Sequence, residues 1–236
     1  MNVVFIHYFG GKGESWQWVD SLLNGVHAYY MTLPGFGGTT ALKHVDIHKM
    51  ANAVLQYLAY HEIKECVLVG HSMGGKLALL AAAMAKDVTI QKVVLVAPSP
   101  PTIEAMPERE KIRMLHHPDY TEAETTVING TYQALPMPKL EFAIQTQLEV
   151  ENNTWKWWLE EGMKNSVLAE VENLKVPLYL ICSEHDNAIT KEMIQDEVLS
   201  NLRFEKIYTT SHVGHLLPIE NPQYVAAILK QIVAAD

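Results

Sequence analysis

The stretch CVLVGHSMGGKLALLAAA, residues 66–83, passes from four apolar residues through a serine flanked by glycines into an alanine-rich run. Four apolar residues bounded by glycine suit a buried strand, and the alanine-rich continuation suits a helix. The serine would then stand on the turn between them. A tight strand-to-helix turn of the form G-x-S-x-G pushes its central residue out of the sheet edge with the hydroxyl exposed. Glycine fits at 70 and 74 because strand and helix pass so closely that a Cβ at either position would clash. The N–H of Met73, at the positive end of the following helix, would point toward any oxygen that becomes negative beside Ser72. A phosphate loop is the competing reading of a glycine-rich helix start, but no G-x-x-x-x-G-K-[ST] occurs, and FGGKGES at 9–15 lacks that spacing.

Outward from this turn, six apolar, β-branched or aromatic-rich runs predict strands at 3–8, 28–33, 66–70, 93–97, 178–182 and 204–209. Helical patterns lie between and after them at 15–23, 46–61, 73–85, 190–199 and 222–234. Most of the strand runs are continuous rather than alternating, which suits strands covered on both faces, and strand-helix alternation predicts a parallel sheet with helices on both sides. The alternation breaks once. Between Pro98 and about Val176 four helix-like segments begin near Pro107, Asp119, Pro138 and Asn153, with no convincing strand. An excursion from the carboxyl end of one strand to the start of the next would sit over the edge where open sheets bind ligands. Residues 1–98 and 177–236 are therefore read as an α/β core and 99–176 as a helical lid, with a separate interaction module as the alternative.

A serine hydroxyl needs a base to take its proton and a carboxylate to orient that base. Among eleven histidines, His215 lies in SHVGHLLPIENP, between the last predicted strand and the last helix, with His212 as the rival. His7 and His71 read as supporting groups beside the site, and His116 and His117 fall in the lid. After the fifth predicted strand, SEHDNAIT at 183–190 offers Asp186, with Glu184 as the alternative. The loop after the first strand, HYFGG at 7–11, would supply a second backbone donor from Phe9, with Gly10 and Gly11 leaving the chain room to turn.

With 236 residues, 48% hydrophobic, the chain can bury a large core. A formal charge of −9 without any basic run argues against nucleic acid or anionic membrane as a main partner. No basic leader precedes the first strand run and no apolar stretch reaches membrane-spanning length, so a cytoplasmic protein is expected. Cys66 and Cys182 fall on strands separated by another, roughly 9–10 Å apart, so both read as free thiols. HEIKE at 61–65 lacks the second histidine of a zinc motif. Neither metal nor organic cofactor is expected, and oligomeric state is not legible.

Together HYFGG, LPGFGGT at 33–39, GHSMGG at 70–75, SEHDNAIT and GHLLPIENP at 214–222 resemble the α/β-hydrolase superfamily, specifically its compact lid-bearing esterase, haloperoxidase-like and C–C hydrolase members. The similarity runs over nearly the whole chain, and the order Ser72, Asp186, His215 is that of the superfamily. Two departures stand out. Family members usually carry Gly where Tyr8 stands, and the strand at 3–8 matches the family's third, which implies a six-stranded sheet in the order 2-1-3-4-5-6. Relatives that make an alkyl-enzyme carry Asp at the position of Ser72, so acyl transfer is what the resemblance implies here. The expected reaction is hydrolysis of small apolar or aromatic carboxylic esters through an acyl-enzyme on Ser72, with His215 and Asp186 completing the triad and Phe9 and Met73 N–H groups forming the oxyanion hole. Tyr8, Met137, Trp158 and Leu216 are the candidate substrate contacts. A C–C hydrolase or perhydrolase would use the same triad, and a small-molecule receptor on the same scaffold is the non-enzymatic alternative.

Overall fold

A computed structural model describes residues 1–234. Six strands form one parallel sheet in the order β2-β1-β3-β4-β5-β6: β1 (Asn2–Ile6), β2 (His27–Met31), β3 (Glu65–His71), β4 (Thr89–Val96), β5 (Leu178–Ser183) and β6 (Lys206–Thr210). This is the expected order, and the continuous apolar runs have the expected cause. Val3, Phe5, Val67, Val69, Val94 and Val96 belong to one core cluster, under α1 (Gln17–Asp20) and the terminal helix, whereas their neighbours Val4, Ile6, Leu68, Val93 and Leu95 belong to a second, under α2 (Ile47–Tyr60) and α3 (Met73–Met84). Alternate residues thus face opposite layers, and both layers are apolar.

The segment between β4 and β5 is helical: α4 (Glu108–Met114), α5 (Tyr120–Asn129), α6 (Met137–Leu148), α7 (Asn152–Glu160) and the short α8 (Leu168–Val171). Asp119 and Glu151 cap α5 and α7 through their side-chain oxygens, and the Pro136-Met-Pro138 run opens α6. This insert is fastened to the loops behind β1 and β2. Trp155 stacks on Phe9 at a centroid distance of 4.2 Å, Glu151 N–H donates to Gly35 O (2.7 Å), and a Cβ on Gly35 would lie 2.2 Å from Thr154 Oγ1.

After β5 the helical pattern at 190–199 divides into a short α-helical turn, α9 (Lys191–Met193), and a wider turn of π type over Ile194–Leu199. A one-turn helix absent from the sequence reading, α10 (Leu217–Glu220), precedes α11 (Pro222–Ala234). β6 begins at Lys206 rather than Phe204, because its ladder starts where Lys206 meets Tyr179 of β5. Cys66 and Cys182 are buried free thiols, on β3 and β5 with β4 between them. Among the described residues no helix is long and apolar enough to cross a membrane.

The crossing of β3, α3 and β1 is the tightest place in the fold. A Cβ on Gly70 would lie 2.2 Å from Gly74 O, and one on Gly74 would lie 2.5 Å from His7 O and 2.6 Å from Ile6 O. All three obstacles are backbone atoms and cannot rotate away. Gly70→Ala should therefore lower stability by about 1–3 kcal/mol, the usual cost of overpacking, which scanning calorimetry would read as a Tm lowered by about 2–4 °C per kcal/mol. An unchanged Tm would show that α3 can move off the strand.

Candidate active site

Ser72 caps α3 from a left-handed conformation, φ +55° and ψ −121°, that residues with a Cβ rarely adopt. Three backbone hydrogen bonds hold it there: Ser72 N–H to Val96 O (3.0 Å), and Gly75 and Ser99 N–H groups to Ser72 O (2.8 and 3.0 Å). The side chain projects above the carboxyl ends of β3 and β4. Met73 is the first residue of α3, so its N–H has no acceptor within the helix and faces outward with the helix dipole.

Two loops from other strand ends meet Ser72. His215 Nε2 lies 2.8 Å from Ser72 Oγ, and His215 Nδ1 lies 2.8 Å from Asp186 Oδ2. Since a carboxylate can only accept, Nδ1 carries the proton, leaving Nε2 to accept from the Ser72 hydroxyl. Asp186 is itself fixed, its Oδ1 accepting from Ala188 and Ile189 N–H groups at 2.8 Å. The loop of His215 is held through its backbone: His71 Nε2–H donates to His215 O (2.8 Å), Ser183 Oγ–H donates to Val213 O, and Leu216 N–H donates to Gly130 O (3.1 Å). All three side chains are nearly buried, at 7%, 9% and 5% exposure for Ser72, His215 and Asp186. Burial alone would lower the pKa of His215, but the charge and hydrogen bond of Asp186, with the charge of Glu104, hold it above its ordinary 6.5.

The rivals lie elsewhere. His212 is exposed at φ +58° and its N–H donates to His185 Nδ1, while Glu184 points toward Lys191, 3.8 Å away. His7 and His71 take supporting places. Leu33 N–H donates to His7 Nε2 (3.1 Å) and His7 Nδ1–H donates to Tyr8 O (2.8 Å), so this neutral ring fixes the turn that presents Phe9. Burial pushes the pKa of His7 down to about 4 and that of His71 well below 6.5, where the charge of His215 adds to the effect.

A cavity of about 920 Å³ opens above Ser72, lined by Tyr8, Phe9, Trp158, His215 and Leu216 and by residues of the insert. Three of the four residues expected to meet substrate, Tyr8, Trp158 and Leu216, line this cavity. Met137 is the correction: it is the first residue of α6, 68% exposed and outside the cavity, because the face that α6 buries carries Ala143, Ile144 and Gln147 instead. Trp155 and Trp157 belong to the core that the insert shares with the sheet, α2 and α3, Trp155 lying between Phe9 and His117 with its Nε1–H on Met114 O (2.7 Å). Tyr8 is accommodated because Gly11 has no Cβ; one there would lie 2.7 Å from the Tyr8 ring. The ring turns away from Phe9 into a cluster with Val127, Ile144 and Leu216. The sequence reading passed over Glu104, which lines the cavity, and the fully buried Ser99 and Lys76, which act on it by a hydrogen bond and by charge. Lys76 had a visible signal: a single cation in a helix otherwise apolar on every side must be buried.

The chain matches the model of the alpha/beta hydrolase family over residues 3–228 and belongs to that family. Its relatives include 2-succinyl-6-hydroxy-2,4-cyclohexadiene-1-carboxylate synthase of Escherichia coli O7:K1, 26% identical over an alignment covering 98% of this chain and 92% of the relative. In fold it is similar to an esterase from Exiguobacterium antarcticum (TM-score 0.90, 14% identity, covering 100% of this chain and 92% of that one). It is likewise similar to a bromoperoxidase from Bacillus anthracis (TM-score 0.88, 15% identity, covering 99% and 92%).

The buried neutral histidines make stability fall with acid. A group whose folded pKa lies below its unfolded value binds its proton first in the unfolded chain, so stability is complete above the unfolded pKa and is lost as pH falls toward the folded one. For His7 the window runs from 6.5 down to about 4, and each such histidine contributes up to about 1.4 kcal/mol per pH unit within it. Denaturation of His7→Gln should show a shallower loss of stability over this range than the parent chain; equal slopes would mean that His7 is protonated in the fold.

Proposed function

We propose that this member of the family is a serine hydrolase that cleaves small carboxylic esters through an acyl-enzyme on Ser72. The observation that carries the reading is the chain from Ser72 Oγ through the His215 ring to Asp186 Oδ2, its two hydrogen bonds each 2.8 Å, opening into the cavity. Ser72 Oγ attacks the ester carbonyl as His215 Nε2 takes its proton, and the Met73 and Phe9 N–H groups receive the developing oxyanion. Collapse of the tetrahedral intermediate breaks the C–O bond, with His215 giving its proton to the leaving alcohol. Water then attacks the acyl-enzyme, its proton passing to His215 and on to Ser72 as the acid departs. Asp186 keeps Nδ1–H in place and stabilises the imidazolium at each stage.

The helical insert, 99–176, acts as the lid and selects the substrate. Met106, Met114, Val127 and Trp158 supply an apolar wall, suited to an aliphatic or aromatic group. The similarity to the cyclohexadiene carboxylate synthases raises a second reading, chemistry on a carbon skeleton bearing carboxylates. The cavity lining carries Arg113, engaged by Glu110 and Glu122, together with Arg109 and Glu104, so its charges do not exclude a carboxylate, and the apolar wall is what favours the ester.

A series of p-nitrophenyl esters from acetate to decanoate tests the proposal. Turnover should peak at a short or medium chain and fall by several orders of magnitude in Ser72→Ala, given the roughly 10⁶-fold effect of such a loss in a well-studied triad. Because His215 must be neutral to act as base and its pKa is raised, kcat/KM should fall below a midpoint above pH 6.5. Absence of turnover on every ester, or full activity in Ser72→Ala, would refute the assignment.

A further inference from the structure

Gln147 is a polar residue of the cavity that the mechanism above leaves unused. It stands on the buried face of α6, only 5% exposed, and lines the cavity above Ser72. Its neighbour Thr146, also buried, satisfies its hydroxyl on Ala143 O (3.1 Å). The amide of Gln147 has no hydrogen-bond partner among the described residues, yet neither its oxygen nor its nitrogen is sealed from solvent. A nearly buried amide without a hydrogen bond is costly. One that opens into a cavity calls for a partner inside it.

The side chain is also held in place. A Cβ on Gly10 would lie 3.4 Å from Gln147 Cγ and 3.5 Å from Oε1, with Nε2 farther off, so the stem and the oxygen rest on the loop that presents Phe9. The end of α6 and the turn after it are tied down at three points. Lys12 Nζ donates to Glu149 Oε2 (2.8 Å), His117 Nε2–H donates to Val150 O (2.8 Å), and Glu151 N–H donates to Gly35 O (2.7 Å). A donor fixed in this way loses little freedom when a ligand meets it.

The chemistry of the amide narrows the ligand. With Oε1 against Gly10, the group left over is Nε2, which can only donate, and what it lacks is an oxygen acceptor. In the proposed mechanism the oxyanion of the scissile carbonyl is served by the Phe9 and Met73 N–H groups, so the acceptor for Gln147 is a second oxygen. We infer that Gln147 is a specificity-determining residue that donates to a carbonyl or carboxylate oxygen of the substrate outside the scissile ester group. Esters carrying such an oxygen are then preferred over plain alkyl esters. This rests on the hydrolase reading of the preceding subsection. One polar donor in a mostly apolar wall is how pockets fix the orientation of a ligand. A site built to hydrogen-bond one group of its substrate discriminates against the analogue that lacks it, because its own polar group is then left unpaired.

The test compares kcat/KM, measured by pH-stat and normalised to each ester's alkaline hydrolysis rate, for ethyl pentanoate and for relatives with an added acceptor: ethyl 4-oxopentanoate, ethyl succinamate, monoethyl succinate and 2-oxopropyl pentanoate. The keto, carboxamide and carboxylate arms identify the kind of oxygen taken, and the last ester shows whether it lies on the alcohol side. The parent chain should favour at least one of these over ethyl pentanoate by about fivefold or more. That preference should vanish in Gln147→Met, which keeps an unbranched stem on Gly10 and removes the donor, and equally in Gln147→Leu. Stoichiometric labelling of Ser72 by a fluorophosphonate establishes that each variant is folded with a working nucleophile, and either variant alone suffices if the other does not fold. Three results would overturn the inference while leaving the hydrolase reading intact: no preference in the parent, a preference unmoved in the variants, or a loss equal on every ester, which marks a structural or oxyanion role. A parent chain that neither labels nor hydrolyses any ester would overturn both.

Discussion

The contact on which the rest depends is the passage of the first turn of α3 across β1 and β3 without any side chain between. Gly70 and Gly74 meet as bare backbone, and Gly74 lies against the carbonyls of Ile6 and His7. That approach brings the loop after β1 beside the first turn of α3, and with it two backbone donors, from Phe9 and Met73, to the neighbourhood of one hydroxyl. It also forces Ser72 to φ +55°, a strained state that persists only where its surroundings over-determine it. Here they do: Ser72 is hydrogen-bonded to Val96, Gly75 and Ser99, and α3 is buried along nearly its whole length.

Around this rigid point the donors that hold the other two side chains carry no charge. His71, neutral because it is buried, holds the carbonyl of His215; Ser183 holds that of Val213; backbone N–H groups hold Asp186. Neutral donors suit the task, since a second imidazolium beside His215 would oppose the positive charge His215 must take up. The insert closes the arrangement from above: Glu220 accepts from the N–H groups of Tyr132, Gln133 and Gly214, joining the start of the α5–α6 loop to the loop of His215.

Much of this is legible in the chain because it depends on short-range geometry. A glycine-spaced serine between an apolar run and an alanine-rich one can form few other structures, and strand ends supply only a few loops in which Asp186 and His215 could stand. The sheet order follows from the same periodicity. The cavity is less legible. Which face of an insert helix meets the site depends on how that helix docks, and a single apolar residue such as Met137 does not reveal this; α6 buries Ala143 and Ile144 and leaves Met137 in solvent. The placing of the Tyr8 ring could not be read without Gly11, whose missing side chain gives the ring its place. Glu104 carried no signal, because its place in the cavity lining near Ser99 and Lys76 is decided by long-range packing alone.

The central claim is that Ser72 is the nucleophile, activated by His215. Peptide mass spectrometry after brief treatment with a fluorophosphonate addresses it directly. The account predicts one phosphonyl group, on the peptide containing Ser72, with labelling abolished in Ser72→Ala and slowed by orders of magnitude in His215→Ala. Modification of another residue, or labelling of Ser72 at an undiminished rate without His215, would contradict it.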